Sequence, residues 1–320
     1  MDIKQIQYFI CLYEEKSVTK AAKRLNIVQP ALSMQITRLE GEIGRELFTR
    51  TPRGMYATPA GDEMYSLFLP VVSSFTAAKS KITHQANSLS GHVRVGLMSS
   101  IGHSVLPDVL NRFTQAHPQV TLSITEGLTD PLCESVANGR LDLALVNQPR
   151  NDCKLTQEKV LREEIFVISS VRSGQRLAAK LALQDVARHP LILPTREHGL
   201  RLLFDDYARK LGVTLVPAFE LDSIQALALM VSEGPYLGFL PGSVIKNLKE
   251  RAAIHLRTHR LVSPSLQRQI VYVHNPQRVP TAASQAFARL LITSLRESQD
   301  ASLGSVVELR RLPINALDVA

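Results

Sequence analysis

The stretch that decides the fold runs from Ser17 to Glu40, SVTKAAKRLNIVQPALSMQITRLE. Val18, Ala21, Ala22 and Leu25 recur at i, i+3, i+4 and i+7, one apolar stripe of a helix. Ser17 stands where an N-cap belongs, its hydroxyl able to accept an orphan backbone N–H. Asn26 follows the stripe, where a helix end needs a left-handed residue and Asn is tolerated. Pro30 occupies a first helical position, with its φ already set and no N–H to lose. Beyond it Leu32, Ile36, Leu39 and Ile43 form a second stripe. At about 100° per residue, Pro30, Ser33, Met34, Thr37 and Arg38 point the opposite way. That face is short, polar and basic, with no acid before Glu40. A core-facing helix, a tight turn and a second helix of this kind make a helix-turn-helix, whose second helix lies in the major groove of DNA.

The flanks agree. Ile6, Phe9, Ile10 and Tyr13 repeat the helical spacing upstream, so three helices can close a small core. Downstream, LFTRTPRGMYATPAG (residues 47–61) holds Pro52, Arg53 and Gly54 as turn formers between short extended runs, which predicts a β-hairpin wing. From Lys16 to Arg53 there are eight Lys or Arg against three Glu, a local net of +5, the sign that phosphate neutralisation requires.

The run AAKRLNIVQPALSMQITRLEGEIGRELFTRTPRGMYATPAG closely resembles the N-terminal winged helix-turn-helix of the LysR-type transcriptional regulators, and the resemblance extends over about residues 1–298. It implies DNA contacts from Ser17, Thr19, Gln29, Pro30, Ser33, Met34, Thr37, Arg38, Arg50 and Arg53. Gln29 and Ser33 would reach bases or phosphates, Arg38 the backbone or a base edge, and Arg50 and Arg53 phosphates or the minor groove beside the wing. Met34 departs from the family, whose members often carry Gln or Arg there. A thioether cannot donate, so readout at that position is apolar, for instance to a thymine methyl.

Residues 59–88 read as one long helix. Met64, Phe68, Val71, Phe75, Ala78 and Ile82 are spaced 4, 3, 4, 3 and 4, a heptad seam that pairs helices. Pro70 predicts a kink or break near residues 66–69. The resemblance assigns this helix to dimerisation, with Met64, Phe68, Val71, Phe75 and Ile82 on the seam. Two recognition helices on one connector can then read two half-sites.

From about residue 91 strands and helices alternate. Strands are expected at 92–98, 120–126, 141–146, 165–170, 190–194, 213–220, 236–241 and 268–274. Helices are expected at 103–116, 130–138, 199–211, 223–233 and 281–298. Such alternation argues parallel sheets with crossover helices. The resemblance supplies a two-lobed α/β effector domain like periplasmic type 2 binding proteins, over 91–300. Lobe I would be about 91–162 with 267–300, and lobe II about 163–266. The DNA-binding domain would be 1–58 and the linker 59–88, while residues 301–320 extend past the family's usual end with no role assigned.

In open α/β sheets ligands gather at the carboxyl ends of strands, beside helix N-termini. Ser99, Ser100, Thr129 and Asn147 occupy such places in the first lobe, and Thr195, Arg196 and Ser223 in the second. These seven are the candidate effector contacts, although Ser, Thr and Asn there also serve as helix caps. By resemblance the effector is a small metabolite, a carboxylate by preference.

The 320 residues carry a net charge of +8 and 45% apolar side chains, enough for two or three domains. Residues 1–88 contribute only +3, so the local excess around the turn carries the nucleic-acid argument. Cys11, Cys133 and Cys153 form no CxxC and no ligand set, so neither a disulfide framework nor a zinc site is expected, and no metal or cofactor. Some relatives sense oxidants with a cysteine pair, but here Cys133 and Cys153 are expected to be small buried apolar residues rather than such a pair. No GxSxG, HExxH, P-loop or GxGxxG occurs, and the nine His are scattered, so no catalytic residue is assigned. His103 and His198 near the cleft read as polar lining. With no secretory signal or membrane span read in the sequence, the expected place is the bacterial cytoplasm, nucleoid-associated when bound. The expected partners are double-stranded promoter DNA, a small-molecule effector, RNA polymerase by resemblance, and further copies of the chain as dimer or tetramer. An enzyme or a transport protein of the same two-lobed fold is the alternative in kind.

Overall fold

A computed structural model describes residues 1–51, 54–82, 89–149, 154–173, 177–251, 254–262 and 264–298. At 73, 74, 77, 79–82 and 249–251 only the backbone is described. The chain divides into two compact units, each described by itself.

The N-terminal unit opens with α1 (Ile3–Glu15), α2 (Val18–Arg24) and α3 (Gln29–Ile43). Asp2 and Gln5 form a reciprocal capping box at the start of α1. Ser17 caps α2, its hydroxyl accepting from Lys20 N at 3.4 Å, and Asn26 takes a left-handed φ of 56°. The helix α3 begins at Gln29, which makes Pro30 its second residue rather than its first. Its stripe buries Leu32, Ile36 and Leu39 against Phe9, Ile10, Ala21 and Ala22. Ile43 leaves the stripe and is exposed, because Gly44 ends the helix at once with φ 72°.

The wing is β1 (Phe48–Thr51) paired antiparallel with β2 (Gly54–Ala57). Glu40 anchors it from α3, its Oε1 accepting from Leu47 N at 2.8 Å and Phe48 N at 3.2 Å. Gly54 has φ 131°, and a Cβ there would stand 2.8 Å from Lys16 O. That carbonyl accepts from Met55 N at 3.0 Å, so close approach to the end of α1 requires glycine.

The long helix α4 (Pro59–Ile82) runs through Pro70 without a break. The heptad seam does not remain intact. Met64, 5% exposed, and Phe68 join the core made by α1–α3, with Tyr65 stacked on Tyr13 at 3.9 Å. Three short helices leave one side of their core open, and the first turns of α4 close it. Further along α4 the seam residues Val71 and Phe75, with Leu67 beside them, are exposed, while the side chain of Ile82 lies outside the described residues.

The α/β unit continues with β3 (Ser90–Leu97), α5 (Ser99–Ser104), α6 (Leu106–Ala116), β4 (Gln119–Glu126), α7 (Thr129–Ala137), β5 (Leu143–Asn147), β6 (Thr156–Ser170), β7 (Lys180–Leu181), α8 (Leu183–Val186), β8 (Leu191–Leu193), α9 (Gly199–Lys210), β9 (Pro217–Glu220), α10 (Ile224–Glu233), β10 (Gly238–Pro241), α11 (Gly242–Arg251), β11 (Leu256–Leu261), β12 (Gln267–His274) and α12 (Ala282–Glu297). The helix expected at 103–116 is two helices, divided at Val105, and starts earlier. The short β7 and α8, and the longer α11 and β11, carry patterns too brief or too mixed for periodicity to register.

The sheets are mixed, not parallel throughout. Among the described residues one path of strands runs β4-β3-β5-β12-β6-β11-β7, with β10 also on β6. Parallel pairing holds for β3 with β4 and β5, β8 with β9, and β11 with β7. Every pair made by β6, and the β12–β5 pair, is antiparallel. The reason is β6 itself, fifteen residues long where six were expected. Its first part, to Glu164, pairs with β12, while Ile165–Ser170 pairs with β10 and β11. One strand thus serves both lobes, and its polarity sets that of its neighbours. The first lobe packs α5, α6 and α12 on one face of its sheet and α7 on the other. The second has separate cores under α9 and under α10 with α11.

Candidate nucleic-acid interface and ligand cleft

On α3 the residues opposite the buried stripe are exposed: Gln29, Pro30, Ser33, Met34, Thr37 and Arg38. Gln29 is held from across the turn, its Nε2 donating to Thr19 Oγ1 at 2.8 Å. This bond leaves one N–H and Oε1 of the amide for a base edge, the pair of groups that recognises adenine. Arg38 forms an i,i+4 ion pair with Glu42 at 3.4 Å on an open surface, a contact weak enough to be exchanged for phosphate. Arg50 is exposed on the wing, and Arg53 lies outside the described residues. Ser17 is committed to capping.

The second feature is a cavity of about 160 Å3 between the two lobes. From the first lobe it is lined by Ser99, Ser100, Thr129 and Asn147, and from the second by His198, Leu200, Asp222, Ile224, Leu227 and Phe239. Four of the seven candidate effector residues are therefore brought together. The other three are not in its lining. Thr195 donates through its N–H and Oγ1 to Asp222, at 2.9 Å each, and so holds a wall residue. Arg196 is exposed, and Ser223 caps α10 by accepting from Ala226 N at 3.3 Å. The Thr195 hydroxyl is thus engaged by Asp222 and the Ser223 hydroxyl by the start of α10.

The residue that sequence reasoning missed is Arg268, the second residue of β12, 2% exposed and in the cavity wall. Its Nε and Nη2 donate to Glu163 Oε2 at 2.9 and 2.6 Å, and its Nη1 donates to Ser100 Oγ at 2.8 Å. Glu163 Oε1 in turn accepts from Ser243 N at 2.9 Å, at the start of α11. The only sign in the sequence was a cation opening an apolar strand. Because Ser100 Oγ accepts from the guanidinium, its own hydrogen is available to a ligand. His198 Nδ1 accepts from Leu200 N at 3.2 Å, which puts the ring proton on Nε2. Burial pushes this imidazole below its ordinary value, with Asp222 opposing and Arg268 reinforcing the shift. Asn147 Oδ1 is buried with no partner among the described residues. The cavity thus sets the donors of Ser100, His198 and Arg268 over an apolar floor, with the carboxylates of Glu126 and Asp222 also in its wall. Gly199 lies against Asn147 and Thr129 of the facing lobe; a Cβ there would meet them at 3.4 and 3.7 Å.

Elsewhere in the unit Ser169 and His259 form a hydrogen-bonded pair at 2.8 Å, with His259 Nδ1 donating to Ala178 O at 2.7 Å. Ser169 is 0% and His259 3% exposed, so no substrate reaches them. His103 donates to Ser99 O at 2.8 Å, within its own helix. Cys11 is buried, which raises its thiol to about 11, and Cys133 is buried; Cys153 lies outside the described residues. Among the described residues no group of His, Cys, Asp and Glu could hold a metal, and no helix is long and apolar enough to cross a membrane.

A winged helix-turn-helix on one chain with a two-lobed α/β domain defines a class, that of DNA-binding regulators with a ligand-binding module. Residues 3–62 match the bacterial regulatory helix-turn-helix of the lysR family, and residues 86–296 match the LysR substrate binding domain. The chain belongs to the LysR family of transcriptional regulators. It is 32% identical to the regulator BudR of Raoultella terrigena over 250 residues, 76% of this chain and 86% of the relative. It is 26% identical to the regulator CysL of Bacillus subtilis over 289 residues, 89% and 95% of the two chains. In fold it is similar to full-length OxyR from Pseudomonas aeruginosa, with a TM-score of 0.72 at 21% identity, covering 92% and 95% of the chains. It is also similar to CbnR complexed with its target DNA, with a TM-score of 0.52 at 20% identity, covering 94% and 100%.

Proposed function

We propose that this regulator binds promoter DNA as a dimer or a dimer of dimers and is switched by a small carboxylate held between its lobes. The observation that carries the effector reading is Arg268. A guanidinium on the wall of a mostly apolar cleft, beside the hydroxyl of Ser100 and the Nε2–H of His198, is a site for one negative charge on a compact carbon skeleton. Glu163 and Ser100 take three of the five guanidinium N–H groups, and the two left over can donate to a ligand carboxylate. Ser99, Thr129 and Asn147 complete the contacts, while Thr195 acts through Asp222. Arg196 and Ser223 keep surface and capping roles.

A ligand that binds one lobe arrangement better than another shifts the population toward it. The change passes to the DNA-bound oligomer and from there to RNA polymerase. The DNA contacts are Thr19, Gln29, Pro30, Ser33, Met34, Thr37, Arg38, Arg50 and Arg53, with Ser17 shaping the turn. The division of labour follows the domains 1–58, 59–88 and 91–300, with lobes of about 91–162 plus 267–300 and 163–266. The protein acts by binding rather than catalysis: the family it belongs to is one of transcriptional regulators. The site of action is the bacterial cytoplasm.

The test is calorimetric titration of the full-length protein with a panel of small carboxylates, followed by operator binding with and without each binder. Ser100→Ala should keep DNA affinity and lose at least tenfold in carboxylate affinity. No carboxylate bound, or an unchanged response in Ser100→Ala, would sink the assignment.

A further inference from the structure

The N-cap of α3 is Val28, with no side-chain hydrogen bond to the helix. This position favours Ser, Thr, Asp or Asn, and an apolar residue there forgoes roughly 1 kcal/mol. Nor does Val28 recover that loss by packing, since it is 68% exposed. Six residues on, Met34 is 65% exposed on the face opposite Leu32, Ile36 and Leu39. Single exposed apolar residues are ordinary. Val28 immediately precedes α3 and Met34 lies on it, on either side of the proposed contacts Gln29 and Ser33, and Val28 stands where local structure prefers a polar residue. The ground around them, Lys20, Lys23, Arg38 and Arg50, is exposed and cationic, which suits a polyanion and not an apolar protein surface.

We propose that Val28 and Met34 read the C5-methyl groups of two thymines in each half-site, setting base preference there by apolar contact. The thymine methyl is the one apolar feature of the major groove edge, and it distinguishes T from C, A and G. Six residues of helix rise span about 9 Å, or two to three base steps of about 3.4 Å. The two thymines therefore fall within about four base pairs of each other in each half-site, on either strand. The inference rests on α3 being the groove-facing helix.

The test uses the full-length protein and the duplex it selects from a random pool. Each thymine is replaced singly by deoxyuridine, which removes only the methyl, and affinity is read by fluorescence anisotropy. Uracil at one or two clustered positions per half-site should weaken binding about fourfold each, the worth of one buried methyl group. In Val28→Ser one of these penalties should vanish, and in Met34→Ala the other. Val28→Ser restores a capping side chain, so its melting temperature should hold or rise, which separates lost contact from lost fold. Uracil without effect at every thymine, or penalties unchanged in both variants, overturns the inference. Gln29→Ala and Ser33→Ala then tell the two readings apart: if both bind the native duplex as the parent does, the groove assignment of α3 fails as well.

Discussion

Arg268 sets both Nε and Nη2 on a single oxygen of Glu163, at 2.9 and 2.6 Å, with the two side chains 2% and 1% exposed. The carboxylate's other oxygen takes the Ser243 N–H and the guanidinium's third arm takes Ser100 Oγ. One ion pair thus ties α5 of the first lobe to α11 of the second through β12 and β6, at the wall of the cleft.

Removing one partner of that pair leaves a buried, uncompensated charge. Glu163→Ala should cost about 3–5 kcal/mol of stability in the α/β unit, whereas Glu163→Ala combined with Arg268→Met should recover most of it. Denaturant unfolding of the single and double variants measures this. Equal losses in both would show that hydrogen bonds to Ser100 and Ser243, not charge, dominate.

Gln29 and Thr19 act as one contact, since Thr19 fixes the amide before DNA arrives. Gln29→Ala should cost about 1–3 kcal/mol and relax the preference for one A·T pair. Thr19→Ala should cost less and leave the preference in place. Selection of random duplexes by each variant checks the ranking; a preference altered only by Thr19→Ala would reverse the roles.

Val71 and Phe75 of the heptad seam, with Leu67 beside them, are exposed on α4, whereas Met64 is buried in the core. Val71→Glu with Phe75→Glu should shift the protein toward the monomer in sedimentation velocity at unchanged helix content. Met64→Ala should instead lower the melting temperature by about 2–5 kcal/mol worth of stability, as a core deletion does. An oligomer unaffected by the double charge insertion would place the interface elsewhere.

Burial holds the His259 imidazole below its ordinary value of 6.5, with the Ala178 carbonyl opposing and Arg257 adding to the shift. Above pH 6.5 the ring is neutral in both folded and unfolded chains and costs nothing. As pH falls below 6.5 the unfolded chain takes up the proton first, so stability declines until the folded value is passed. His259→Gln should flatten that decline below pH 6.5. Urea unfolding across this range tests it, and an unchanged slope would assign the acid sensitivity to His198 or other groups.

Much of the molecule was legible in its sequence because the signals are local. Helix periods, the Ser17 cap and the left-handed Asn26 are all satisfied within a few residues of themselves, and the helix-turn-helix follows. The ends of strands that carry Ser99, Ser100, Thr129 and Asn147 were readable for the same reason. What the tertiary structure decided depends on residues far apart in the chain. Arg268 finds Glu163 across 105 positions and Ser100 across 168, and no periodicity foretells which strand end a lone cation will face. Likewise Met64 and Phe68 fit a dimer seam and a core face equally well until the open side of α1–α3 claims them. The mixed sheet also depends on which distant strands pair with β6, since β10, β11 and β12 all run antiparallel to it. Local patterns specify elements because backbone and capping energies are short-ranged; the cleft exists only where long-range burial forces distant polar groups to satisfy one another.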